Sequence, residues 1–304
     1  MNISPEELNK PRLMRLATYA SVAVASILIG VKFYAWLATD SVSLLSTLID
    51  SVLDVGASFV NLIAVHYALQ PADREHRFGH GKAEPLAGLM QSGFIFASAL
   101  FLTVETGRRF IQPRAIENSD MGIVVMVLSI VLTIGLVSFQ RYVVRKTRSV
   151  AVSADSLHYM TDILVNAGVI LALLVSAYTG WLWFDPLIAG VIAAYILWSV
   201  REIAMDAFDL LMDREFPDEE RKEIAKCVRA HARVSGMHDL RTRSSGPQQF
   251  IQLHLELDGD MALRDCHEIA DEVAASLRIL YPDAEILIHQ DPHDIEEDTP
   301  NFAP

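Results

Sequence analysis

Cysteine is almost missing from this sequence. The 304 residues contain two, Cys227 and Cys266. Neither belongs to a C-x-x-C pair, so neither a disulfide framework nor a thiolate zinc site is indicated. The cytosolic placement expected for both favours free thiols. Clustered Lys/Arg is missing too. Lys and Arg number 25 against 38 Asp and Glu, for a net charge of −13. Much of the acid lies late, as in Pro217-Asp218-Glu219-Glu220 and Glu296-Glu297-Asp298. That balance speaks against nucleic acid as a partner. It fits a solvated acidic surface, which can also raise the local cation concentration. Charge of either sign is scarce, at 21% of residues. It is scarcest between residues 13 and 211, where long apolar stretches stand instead.

A helix needs about 20 apolar residues to cross the hydrocarbon core of a bilayer. Six stretches qualify: residues 13–38, 42–69, 83–110, 121–143, 150–178 and 184–208. Helices are expected because lipid leaves backbone polar groups no outside partner. Small residues recur within them (Ala20-Ser21, Gly56-Ala57-Ser58, Ser98-Ala99) and allow close packing. The first stretch is too long for a signal-peptide core and shows no small-residue cleavage pattern, so it reads as a retained span. Six spans put both termini on one side. Lys10, Arg12, Arg15, Arg74, Arg77, Lys82, Arg141, Arg145, Lys146 and Arg148 collect there, against Arg108, Arg109 and Arg114 opposite. The excess places both termini in the cytoplasm.

The charges inside the spans carry the chemistry. Asp50 and Asp54 lie four apart in the second span; His158 and Asp162 lie four apart in the fifth. Residues i and i+4 share a helix face. If the two spans pack together, three carboxylates and one imidazole converge. That donor set suits four-coordinate Zn²⁺, and also Fe²⁺, Cd²⁺ or Mn²⁺. Each carboxylate near mid-bilayer costs about 2.5–3.5 kcal/mol on insertion scales, more than an ordinary packing role warrants. Carboxylates and imidazole must be deprotonated to hold a metal, so protons compete for the same atoms. The expectation is metal exchanged for protons by helices that alternate access. Asp155, one turn before His158, reads equally as an access-path residue or a helix-end charge. In the loop after the second span, Asp73, His76 and His80 read either as a three-ligand site or as a polar loop with incidental histidines.

From Asp213 onward the pattern is that of a soluble domain. Residues 218–231 read as a helix after Pro217, and residues 238–242 as a short strand. Ser244-Ser245-Gly246-Pro247 reads as a turn. Residues 248–257 alternate, with Ile251, Leu253, Leu255 and Leu257 on one face and Gln252, His254 and Glu256 on the other. An amphipathic helix over 263–280 and a strand over 285–290 complete an αββαβ order, an α/β sandwich with helices on one sheet face. His238, His254, His267, His289 and Asp291 can gather at one end of the strands. They read either as a second metal site, with Asp291 bridging two ions, or as surface histidines. His293 is a weaker candidate.

Several runs resemble one family. They are Leu48-Ile49-Asp50-Ser51-Val52-Leu53-Asp54, Phe78-Gly79-His80-Gly81-Lys82-Ala83-Glu84 and Asp155-Ser156-Leu157-His158-Tyr159-Met160-Thr161-Asp162. Leu211-Met212-Asp213-Arg214, His238-Asp239-Leu240-Arg241-Thr242-Arg243 and Ile288-His289-Gln290-Asp291-Pro292 extend the match. Together they are similar to the cation diffusion facilitator family, and within it to bacterial ferrous-iron and zinc efflux pumps. The resemblance implies a homodimer in the bacterial inner membrane with six transmembrane helices and a metallochaperone-like cytoplasmic domain. It implies transport at Asp50, Asp54, His158 and Asp162, and a loop site of Asp73, His76 and His80. It further implies a cytoplasmic binuclear zinc site of His238, His254, His267, His289 and Asp291. A Lys82–Asp213 salt bridge at the dimer junction and a hydrophobic gate at Leu157 follow from it as well. The domains expected are a tail over 1–12, the membrane part over 13–211, the cytoplasmic domain over 212–292 and a tail over 293–304. An intramembrane zinc metalloenzyme is the first competing reading, but no H-E-x-x-H occurs in the spans. A membrane-bound metal sensor is the second, and no DNA-reading or catalytic motif accompanies it. The expectation is therefore a transporter and not an enzyme.

Overall fold

The computed structural model describes residues 9–39, 42–112, 120–179, 181 and 183–294. It divides into two compact units, Ser4–Phe208 and Asp209–Pro304.

The first unit is built of six long helices: α1 (Lys10–Thr39), α2 (Val42–Ala68), α3 (Ala83–Ile111), α4 (Asp120–Thr147), α5 (Val150–Thr179) and α6 (Phe184–Leu211). Among the described residues, five are long and apolar enough to cross a membrane by length and composition. The sixth, α5, has 30 residues and carries Asp155, His158 and Asp162. Thirty residues at 1.5 Å each reach about 45 Å, ample for a span. Outward-facing positions are large and apolar, such as Tyr34, Phe101, Val191 and Trp198. Inward positions include small and polar residues, among them Ala17, Ser21, Ser58, Asn61 and Gln140. That inversion suits lipid outside and satisfied polar groups inside.

Helix α1 packs on α2 and α4, α4 on α5, and α5 on α3, while α2 meets α5 only over a short crossing. Glycines sit at two close approaches, α3 on α5 and α5 on α6, the first against the stiff Val150 and the second against the flexible tip of Ile192. A Cβ on Gly88 would stand 2.9 Å from Val150, and one on Gly168 would stand 2.8 Å from Ile192. The α4–α5 corner turns at Arg148, with φ 55°. Ser149 then caps α5, its Oγ accepting the Val152 N–H at 3.2 Å. The Glu84 carboxylate, at the start of α3, accepts from the Ser149 hydroxyl and from the backbone N–H groups of Val150 and Ala151. An anion is favourably placed at a helix N-terminus, so this contact ties the ends of two helices.

The second unit contains α7 (Asp218–Arg229), β1 (Gly236–Ser245), β2 (Gln248–Leu257), α8 (Leu263–Leu280) and β3 (Ala284–Pro292). The sheet order is β1-β2-β3. The hairpin β1–β2 is antiparallel, and β2–β3 is parallel with α8 as the crossover. Ile251, Leu253, Leu255 and Leu257 face the helices and are buried with Ile224, Val228, Ile269, Val273 and Leu277. Burying each such side chain contributes about 2 kcal/mol. The opposite face of β2 carries Gln252, His254 and Glu256. Strand β1 starts earlier and ends later than the alternation of 238–242 suggested. It pairs through its backbone with β2 from Ser245↔Gln248 to Gly236↔Glu256, broken only by the bulge between His238 and Arg241, so its polar Arg243, Ser244 and Ser245 need no apolar pattern.

Candidate metal centre

Helices α2 and α5 bring three of the four expected intramembrane ligands, Asp54, His158 and Asp162, to one point. Single ligand atoms of Asp54, His158 and Asp162 lie within 4.8 Å of one another. His158 Nε2 is 3.0 Å from Asp54 Oδ1. The Tyr159 ring sits edge-on to the His158 ring, 5.4 Å between centroids. Asp50 lies on α2 one turn before Asp54, and its side chain falls outside the described residues. Leu157, beside His158, is buried in an apolar cluster with Ile95, Ala99, Ile196 and Val200 of α3 and α6. Two carboxylates and an imidazole at this spacing are a donor set for a divalent cation of Zn²⁺ or Fe²⁺ type.

Asp155 is not part of that cluster. It is 1% exposed, and donors from three other helices surround it. Ser21 Oγ donates to its Oδ2 at 2.5 Å. Gln140 Nε2 donates to the same oxygen at 2.7 Å, and Gln91 Nε2 donates to Oδ1 at 3.1 Å. These partners lie up to 134 positions away in sequence, and no spacing rule would have found them.

The loop between α2 and α3 folds about Asp73. Its Oδ1 accepts the backbone N–H groups of Glu75 at 2.9 Å and His76 at 2.6 Å, an Asx-turn. The His76 N–H, opposed by burial and aided by the Glu75 N–H, holds the Asp73 carboxyl below its usual range. His80 Nε2 is 3.3 Å from Asp73 Oδ2, and His76 Nδ1 is 3.4 Å from Oδ1. The three form a cluster of metal-ligand spacing. His80 is buried, and its Nδ1 has no hydrogen-bond partner among the described residues.

In the second unit the histidines collect on the sheet face away from the helices. The register sets His238 opposite His254, and His254 opposite His289. All three imidazoles converge on the buried Asp291. His254 Nδ1 is 2.7 Å from Oδ2, His238 Nε2 is 3.6 Å from Oδ2, and His289 Nε2 is 3.0 Å from Oδ1. His238, His254 and Asp291 form a cluster of metal-ligand spacing. Three imidazoles around both oxygens of one carboxylate fit a resident zinc site. His267 is not brought to this cluster. It is exposed on α8, across the sheet, with Nε2 3.6 Å from Asp271 of its own helix. His293 points its ring at the Leu257 carbonyl, 3.3 Å away.

Two carboxylates beside this cluster were missed. Glu256 Oε1 is 2.9 Å from His238 Nδ1, and Asp239 Oδ2 is 3.8 Å from His254 Nε2. Strand parity with His254 could have found Glu256. Asp239 could not be found that way, because β1 bulges between His238 and Arg241 and Asp239 adopts φ 47°. Lys82 precedes α3. Asp213 follows α6 with φ 57°, and its Oδ1 accepts from Arg243 at 3.3 Å.

A polytopic helical domain with ionisable ligands inside its spans, joined to a small domain lined with imidazoles, defines a membrane protein that handles metal cations. The comparisons with known proteins make the family specific. Residues 18–212 match the model of the cation efflux transmembrane domain, and residues 216–293 that of the cation efflux protein cytoplasmic domain. The chain belongs to the cation efflux, or cation diffusion facilitator, family. It is 48% identical over 281 residues to the cation-efflux pump FieF of Escherichia fergusonii, covering 92% of this chain and 93% of that one. The same figures hold for the FieF pump of Escherichia coli K12. Among solved structures, the metal-bound C-terminal domain of the CzcD transporter from Thermotoga maritima aligns at 26% identity and TM-score 0.25. That alignment covers 27% of this chain and all of that one. The chain is thus a multi-pass efflux protein for divalent metal cations, not an enzyme.

Proposed function

We propose that this protein exchanges Zn²⁺ or Fe²⁺ for protons, moving the metal out of the cytoplasm across a bacterial inner membrane. Cd²⁺ falls within the same donor chemistry. The observation that carries the reading is the meeting of Asp54, His158 and Asp162 from two different spans. Two carboxylates this close repel unless a positive charge lies between them. A divalent cation supplies that charge, and so do protons. Each displaces the other from the same atoms, and alternating exposure of the site to the two sides turns that competition into exchange. Asp50 completes the set in this reading. Leu157 closes the apolar path beside it, and the cluster of Asp73, His76 and His80 receives metal on the cytoplasmic side.

The working unit is a homodimer with both termini in the cytoplasm. Its membrane part spans 13–211 and its cytoplasmic domain 212–292. The match of residues 216–293 to the cytoplasmic dimerisation domain of cation efflux proteins supports the dimer. Zinc held at His238, His254, His289 and Asp291 makes the cytoplasmic domain rigid, and Lys82 pairs with Asp213 at the dimer junction.

The test uses the purified full chain in liposomes with a pH-sensitive dye inside. External Zn²⁺ should enter and drive protons the other way, and an imposed pH gradient should speed its entry. Zinc entry with no accompanying proton flux would leave a metal channel and remove the exchange.

A further inference from the structure

We propose that Asp155 is the positioning residue of the transport site: it sets the rotation and depth of α5, so that His158 and Asp162 face Asp54. The proposal rests on the exchange reading above.

The contacts around Asp155 are those of an anchor. Its two oxygens accept three hydrogen bonds, from Ser21 of α1, Gln91 of α3 and Gln140 of α4. Gln140 Nε2 also lies 2.9 Å from Ser21 Oγ, so these two side chains hold each other as well as the carboxylate. Every partner presents a donor, which is the complement of an ionised carboxylate. The position is sealed, with Ser21 and Gln140 wholly buried and Gln91 nearly so.

The anchor acts on the site through geometry. At 100° and 1.5 Å per residue, His158 stands about 4.5 Å further along α5 and Asp162 about 10.5 Å, both within roughly 60° of the direction of Asp155. Fixing Asp155 therefore fixes where both ligands point. The crossing of α2 on α5 is short and cannot set this alone, since the groups that meet there include two carboxylates. A second thread runs from the same anchor to α2. The Tyr159 hydroxyl lies 3.3 Å from the Ser21 carbonyl and 2.8 Å from Ser58 Oγ. Ser58 lies one turn beyond Asp54 on α2. Asp155, Ser21, Tyr159 and Ser58 thus register the two helices that carry the ligands.

The experiment measures zinc uptake kinetics of the full chain in liposomes, together with zinc binding by calorimetry in detergent. For Asp155→Asn the apparent KM and Kd for zinc should rise about tenfold, the lower end of what losing an outer support costs a metal site. The maximal rate should stay within about twofold, because the ligands remain. Gln91→Ala, which removes one donor and keeps the carboxylate, should raise KM about threefold and covers the case in which Asp155→Asn does not fold. The exchange Asp155→Gln with Gln140→Glu returns the carboxylate to the network from α4 and should recover most of the lost affinity. Wild-type KM and Kd in Asp155→Asn would overturn the proposal. So would a lost maximal rate at wild-type KM that the exchange does not recover, since that places Asp155 on the ion's path. Wild-type vesicles that take up no zinc would instead remove the exchange reading, independently of the variants.

Discussion

Replacing Asp54 with Asn separates a ligand from a packing residue, because the two roles predict opposite effects on stability. Asn keeps the volume and removes the charge. Asp54 Oδ1 lies 3.0 Å from His158 Nε2, and the two side chains are about one-fifth exposed. Removing one charged ligand from a largely buried set should cost zinc binding about 3 kcal/mol, near the lower end of the usual range because some solvent still reaches it. At 1.4 kcal/mol per tenfold, zinc should bind about 100-fold more weakly. The zinc KM for uptake into liposomes should rise by a similar factor. Stability without metal should move the other way or not at all. Asp54→Asn spares the membrane part a carboxylate that costs about 2.5–3.5 kcal/mol to insert, and it relieves repulsion from Asp162. Melting in EDTA should therefore occur at the wild-type temperature or above it. A variant that melts earlier in EDTA and still takes up zinc with wild-type KM would make Asp54 a structural hydrogen-bond partner and refute the four-ligand site.

Zinc at 100 times its Kd should stabilise the cytoplasmic domain of the full chain by about 2.7 kcal/mol, and Asp291→Ala should abolish that thermal shift. Ser149→Ala removes the cap of α5 and should cost about 1 kcal/mol in denaturant unfolding of the membrane part. The Tyr281 phenol is pushed up from 10.0 to about 12, by burial first and then by the Glu220 and Glu223 carboxylates. The folded state prefers the protonated phenol, so the domain should keep its full stability below pH 10 and lose it progressively toward pH 12. The difference in ultraviolet tyrosinate titration between wild type and Tyr281→Phe, with parallel unfolding curves, checks this, and a Tyr281 increment already complete at pH 10 in the folded protein would contradict it.

The membrane helices were legible because lipid imposes a length, and a run of about 20 apolar residues has few other uses. Ends were less legible. Helix α4 continues to Thr147, past the apolar stretch, because nothing in Arg141, Arg145 or Lys146 breaks a helix once it reaches water. The i, i+4 pairs told which residues share a face, and Asp54, His158 and Asp162 do meet. Helix spacing could not tell which helices neighbour one another; that came from the convergence of charge. In the cytoplasmic domain, strand parity put His254 on the open face, while the bulge at Asp239 lay beyond any two-residue period. His267 was grouped with this cluster from the pattern of histidines and from the family likeness, and its helix stands on the other side of the sheet.

Helix α5 carries two carboxylates two turns apart, and their surroundings assign them opposite roles. Around Asp155 stand a hydroxyl and two amides, all donating inward. Its charge is spread over buried partners that already donate to it, so a cation gains little by approaching and would have to displace them. Around Asp162 stand an imidazole and the carboxylate of Asp54. An acceptor facing another acceptor is not a resting arrangement: it is stable only when a positive charge stands between them. The number of intramembrane carboxylates thus says less about function than the kind of group each one faces. Where donors surround a carboxylate, the fold holds it in place. Where another carboxylate faces it, something mobile and positive has to arrive, and under the exchange proposed above protons and metal contend for that place.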